Sequence, residues 1–188
     1  MRDYIIMTDS CCDLSQQEVE ELDLTVLPLS FTIEGKTLLN TPDHADMSPE
    51  EFFKKIAAGA DCTTAAVNVG QFTDAMEKVL DEGKDILCIC FSSALSTTYQ
   101  SACIAASDLR EKHPGAKIIV IDSLSASRGQ GMLLYRTVRE RREKGLDIDA
   151  LASYVDSIIQ SQDHWFFVDD LNHLKRGGRV SATAALVG

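Results

Sequence analysis

No apolar run in this chain approaches the ~20 residues that a membrane-spanning helix requires, so no transmembrane segment is expected. The opening Met1-Arg2-Asp3-Tyr4-Ile5-Ile6-Met7 lacks the length of a secretory signal and passes at once into polar residues. Basic charge is scarce: 18 Lys and Arg stand against 29 Asp and Glu, for a net charge of −11. A nucleic-acid binder neutralises phosphates with a basic face, so that function class is set aside. The acidic balance suits a soluble cytoplasmic protein and argues against a general role at an anionic membrane surface. The cysteines show no CxxC spacing, and Cys11, Cys12, Cys62, Cys88, Cys90 and Cys103 do not form a secreted disulfide framework. They read as reduced structural residues, with Cys88 and Cys90 on one strand face beside Ile86.

Common catalytic signatures are also missing. Ser93 and Ser96 have no flanking GxSxG elbow, and His44, His113, His164 and His173 are scattered. The glycines of Ser127-Arg128-Gly129-Gln130-Gly131 permit close backbone approach but lack the third glycine of a dinucleotide fingerprint.

What is present is an alternation of short apolar runs and amphipathic stretches. Residues 4–8, 86–91, 117–121 and 165–168 read as core strands, the second an almost unbroken apolar run of the kind covered on both faces. Helices are predicted over 15–22, 49–58, from Asn68 or Gly70 to Gly83, up to His113, over 126–144, and from a cap at Asp149 to 160. Ser48-Pro49-Glu50-Glu51 combines a cap, a first-turn proline and a capping box. Residues 26–33 and 37–39, joined by Glu34-Gly35-Lys36, suggest a small hairpin beside the main sheet. Four strand–helix alternations predict an α/β fold with a parallel sheet and helices on both faces. No repeat or low-complexity stretch appears. The small, apolar ending after Arg179 wants burial, so residues 1–160 are expected to form an N-terminal domain and 161–188 the start of an incomplete second α/β domain.

In such a sheet, ligands bind beyond the carboxyl ends of the strands. Thr8-Asp9-Ser10, Ser92-Ser93-Ala94-Leu95-Ser96-Thr97-Thr98, Asp122-Ser123 and Asp169-Asp170 occupy those ends, and Thr63-Thr64 lies on a loop ahead of a helix. The 92–98 loop feeds a helix start, where free N–H groups and hydroxyls suit a carboxylate or phosphate. Ser96 or Thr97 merely capping the helix is the plainer alternative. Asp9 with Ser96 could serve a phosphoryl-transfer or hydrolytic enzyme, Asp13 could cap a helix, and Asp9, Asp122, Asp169 and Asp170 could hold a metal; strand-end aspartates often bind loop backbone instead. Leu174-Lys175-Arg176-Gly177-Gly178-Arg179-Val180 could clamp an acidic head group or be a solvated turn.

Taken in order, these segments resemble the DegV family over essentially the whole chain. Thr8-Asp9-Ser10 with Asp13-Leu14 looks like its TDS…DL opening, and residues 92–102 resemble SSxLSGTYQSA. Val120-Ile121-Asp122-Ser123 fits VxDS, and residues 174–180 are similar to LKxGGRI. Thr64, Gly70 and Phe72 match the threonine motif TSQPSxGEF, whereas residues 65–68 do not, and Thr97 replaces the glycine of SSxLSGTYQ. The resemblance implies a non-enzymatic carrier that binds one long-chain fatty acid between two domains and needs no metal or cofactor. It implies a carboxylate held by Thr64 and Ser96, with Arg179 and then Arg176 as further candidates and Ser93 and Thr97 beside them. It also implies a partner, a separate fatty acid kinase that phosphorylates the presented carboxylate. A protein-interaction module without lipid is the remaining alternative, suggested by the departures at Thr97 and 65–68.

Overall fold

A computed structural model of the chain describes residues 2–165 and 167. Its centre is a parallel sheet of four strands, β1 (Tyr4–Asp9), β2 (Leu24–Leu27), β6 (Asp85–Cys90) and β7 (Ile118–Asp122), in the order β2-β1-β6-β7. β6 is buried at every residue, which explains its unbroken apolar sequence: it lies inside the sheet with helices over both faces. Leu87 and Ile89 point to one face, where they meet α5 (Ser127–Lys144) and α6 (Ile148–Ile159) through Leu133, Leu134, Leu151 and Val155. Ile86, Cys88 and Cys90 point to the other, against α3 (Val69–Asp81) and α4 (Thr98–Lys112) through Phe72, Met76, Ala102 and Ala105. The predicted α/β architecture and the shared face of Ile86, Cys88 and Cys90 are both realised.

The strand predicted over 165–168 falls partly outside the described residues. Trp165 belongs to no strand and is 93% exposed, and residues 166 and 168–188 lie outside the described residues, as does the predicted second domain apart from 161–165 and 167. The fourth strand of the described sheet is β2, parallel to β1 with Ile6 opposite Leu24. The β-rich stretch at 26–33 is therefore two strands. Pro28, which has no N–H to give a ladder, separates β2 from β3 (Leu29–Ile33). β3 then pairs antiparallel with β4 (Lys36–Asn40), as the hairpin reading requires, and also with β5 (Cys62–Ala65), in a second sheet ordered β4-β3-β5.

Helix boundaries follow local chemistry. Asn68 caps α3 reciprocally with Gln71, and Ser15 caps α1 (Gln16–Leu22) reciprocally with Glu18. Ser48 caps α2 (Pro49–Ala57) by accepting the Glu51 N–H, though the Glu51 side chain does not return the bond and instead approaches Lys55. Asp147, not Asp149, caps α6; Asp149 pairs with Lys117. Gly131 lets α5 approach the turn after β1: a Cβ there would stand 2.9 Å from both the Cys12 carbonyl oxygen and Leu14 Cδ2. None of the described helices is long and apolar enough to cross a membrane.

Candidate functional site

The carboxyl edge of the parallel sheet is built largely from hydroxyls and carboxylates that bind their own loops. Asp9 is fully buried; one of its oxygens accepts the Cys11 N–H at 3.1 Å, the other the Phe91 N–H at 2.7 Å. Burial pushes its carboxyl up from the ordinary range, opposed by those two N–H donors and the Gln130 amide. Asp122 Oδ1 accepts from Ser93 N–H and Leu124 N–H, both at 3.1 Å. Of the two readings of these aspartates, backbone binding is the one the geometry satisfies. Among the described residues no group of three His, Cys, Asp or Glu is arranged around a metal-sized site. The serines of the loop after β7 are likewise engaged. Ser123 Oγ donates to the Ser125 carbonyl at 3.2 Å and Ser125 Oγ to the Ser123 carbonyl at 2.9 Å. Ser92 Oγ accepts the Ala94 N–H at 3.3 Å.

Ser93, Ser96 and Thr97 differ from these. Ser93 is fixed through its backbone, and neither its hydroxyl nor that of Thr97 makes a hydrogen bond among the described residues. Ser96, half-buried, accepts the Thr98 N–H at 3.2 Å and lies 2.9 Å from the Thr98 hydroxyl. Thr97 occupies the cap position of α4 but gives no side-chain cap, in contrast to Ser15, Ser48, Asn68 and Asp147 on α1, α2, α3 and α6. The two capping alternatives thus resolve unequally: Ser96 takes the first helical N–H, and Thr97 takes none. The N–H groups of Tyr99 and Gln100 have no backbone acceptor among the described residues, the first being that of Ser101 to the Thr97 carbonyl. A 15-residue helix therefore begins with free donors and its positive dipole end beside half-buried and exposed hydroxyls.

Thr64 is placed on a strand rather than a loop. It lies on β5, an edge strand of the second sheet, exposed and opposite Phe31. The sequence missed this because β5 has only four residues, too few to display an alternation. Thr64 and Ser96 are not hydrogen-bonded to each other. Ser10, at the exit of β1, ties the second sheet to the first by accepting hydrogen bonds from Leu29 N–H at 3.0 Å and Asn40 Nδ2 at 3.3 Å. That role of Ser10 was not apparent from the sequence, where it was one more polar residue ending a strand. Arg176 and Arg179 lie outside the described residues. Beyond Asp122 a shallow depression of about 350 Å³ lies beside β7, the last strand of the sheet among the described residues, bounded by Tyr99, Ile119, Leu124, Asp156 and Ile159.

The cysteines beside this edge are poor nucleophiles. Burial and the Asp9 and Asp13 carboxylates push the Cys11 thiol far up, and burial raises Cys12 to about 11.

Comparison with known proteins gives a consistent picture. The family model described as "uncharacterised protein, DegV family" matches residues 4–188. A DegV domain-containing protein of Clostridium perfringens is 39% identical over 188 residues, covering 100% of this chain and 64% of its own length. A Lactococcus lactis relative is 39% identical over 185 residues, covering 98% and 63%. Among solved structures, a stearic-acid-binding protein from Eubacterium ventriosum superposes with a TM-score of 0.86 at 30% identity, over 98% of this chain and 64% of that one. A DegV family protein from Thermus thermophilus, described by its fatty acid binding, gives 0.83 at 32%, over 100% and 64%. The chain thus spans a little under two thirds of the length of the relatives it matches.

Proposed function

The chain belongs to the DegV family, and from that premise we propose that it binds a single long-chain fatty acid, with the carboxylate at the Ser96 loop and Thr64. The observation that carries this reading is the start of α4: Tyr99 and Gln100 N–H groups without an acceptor among the described residues, no cap from the Thr97 side chain, and the hydroxyls of Ser93, Ser96 and Thr97 in the loop that leads into it. A carboxylate is a good occupant, since N–H and O–H donors hold it without a base, nucleophile or metal. Fatty acid binding by the Eubacterium ventriosum and Thermus thermophilus relatives supports the same ligand. Affinity would come from the acyl chain at ~0.8 kcal/mol for each buried CH₂. Arg179 and Arg176 are proposed as further partners of the carboxylate.

The protein is read as a carrier, presenting its acid to a separate fatty acid kinase that converts the carboxylate to an acyl phosphate. An enzyme built on Asp9 is the weaker alternative, because both Asp9 oxygens already accept backbone hydrogen bonds in a fully buried position. Six unpaired cysteines favour a reducing compartment, the cytoplasm. Native mass spectrometry of the whole protein purified from cells tests the reading. One bound acyl mass, exchangeable for added palmitate or oleate, is expected. No acyl mass and no uptake of either acid would overturn it.

A further inference from the structure

Three consecutive side chains at the exit of β1 hold three different parts of the molecule. Thr8 Oγ1 donates to the Ile89 carbonyl of β6 at 2.7 Å and accepts from Gln130 Nε2 of α5 at 3.0 Å. Asp9 takes the Phe91 N–H, at the mouth of the loop that carries Ser96. Ser10 takes Leu29 N–H and Asn40 Nδ2, at the end of the sheet that carries Thr64. Thr8 and Asp9 are inaccessible and Ser10 is 6% exposed, so none of them is available to a ligand.

Their connectivity gives them a different task. Phe91 leads directly into Ser92, and Ser92 accepts at its carbonyl the N–H groups of both Leu95 and Ser96, so the Asp9 bond anchors a short, closed path to Ser96. Leu29 begins the strand whose third residue, Phe31, lies opposite Thr64, so the Ser10 bond anchors an equally short path to Thr64. The two anchors sit on adjacent buried residues, the last of β1 and the first of the turn that follows it. We propose that Asp9 and Ser10 are positioning residues that fix the separation of the two halves of the head-group site, Asp9 acting through Ser96 and Ser10 through Thr64. This rests on the fatty acid reading and adds to it the residues that make the site one unit.

Double-mutant cycles in the whole protein, read by palmitate titration with melting measured alongside, test the assignment. S10A is expected to weaken palmitate binding about tenfold in the parent protein, as loss of one well-placed head-group contact would. In a T64A background the same change should cost less than about twofold, while in S96A it should keep its effect. D9N should show the opposite pattern, silent in S96A and active in T64A. A merely structural role would lower melting and affinity alike in every background, and that result, with additive losses for S10A in T64A, overturns the proposal. N40A removes a Ser10 contact from the other side and repeats the test should S10A not fold. Absence of palmitate binding in the parent protein would defeat the fatty acid reading itself; binding with additive cycles would defeat only the positioning roles.

Discussion

Ser96 is held at the point where a helix starts, with the Thr98 N–H at 3.2 Å and the Thr98 hydroxyl at 2.9 Å. With the Thr98 hydroxyl donating to it, the Ser96 hydroxyl can give a charge-assisted bond to a carboxylate arriving there. T64A and S96A should each weaken fatty acid binding by about 1–2 kcal/mol, measured by calorimetric titration, because each removes a donor to a charged group. Unchanged affinity in both variants would move the head group elsewhere. How much of this was legible depends on the residue. A hydroxyl cluster ahead of a helical pattern announces itself, and Ser93, Ser96 and Thr97 were found that way. Asp9 and Asp122 were found as strand-end carboxylates, but a sequence does not tell whether such a carboxylate faces water or turns back onto the next loop. That depends on the neighbouring strand, which the four residues after Asp9 do not reveal. Thr64 was singled out by motif and misplaced by pattern, since its strand is too short to alternate.

At the scale of elements, the sheet and helices were legible wherever a segment had one environment. β6 reads as a buried strand because both of its sides meet helices, and α3 reads as a helix because Phe72, Met76 and Leu80 share one face. Legibility failed at Pro28, where two strands with different partners run together in sequence. Cross-element electrostatics were invisible as well. Glu18, the acid of the α1 capping box, also pairs with Arg128 of α5 at 2.8 Å. The Ser15 backbone N–H first, then Arg128 and the Ser15 hydroxyl, bring its carboxyl down to about 2. A carboxyl depressed in the folded state gives stability that is fully present above its unfolded value and is lost as pH falls through the folded one. The window here runs from about 4.5 to about 2. E18Q should therefore flatten the pH dependence of unfolding between those values and leave the acid limb below them unchanged, as read from urea midpoints. Glu18 is 39% exposed, so solvent screening keeps the size of the effect small.

For the whole molecule, the order β2-β1-β6-β7 leaves the exits of β1 and β6 side by side, and the candidate head-group loop lies at that junction. The three-layer domain could be anticipated because a parallel sheet needs a helix after nearly every strand. The second sheet could not, because β5 joins it from more than twenty residues beyond the hairpin, with α2 between. That second sheet also has little interior: among β3, β4 and β5 only Ile33 is buried, and α2 buries no residue.

This thin interior has a consequence in time rather than in space. Backbone amides exchange with solvent at the rate of the cheapest opening that exposes them, and a unit with few apolar contacts opens without the rest. Amides of β3 and β5 should lose protection much sooner than those of β1 and β6 in a deuterium-exchange series. A molecule bridging Ser96 and Thr64 would close that gap from the β5 side, slowing a clock that runs fast in the empty protein; equal protection of the two sheets before any ligand is added would show that they open as one.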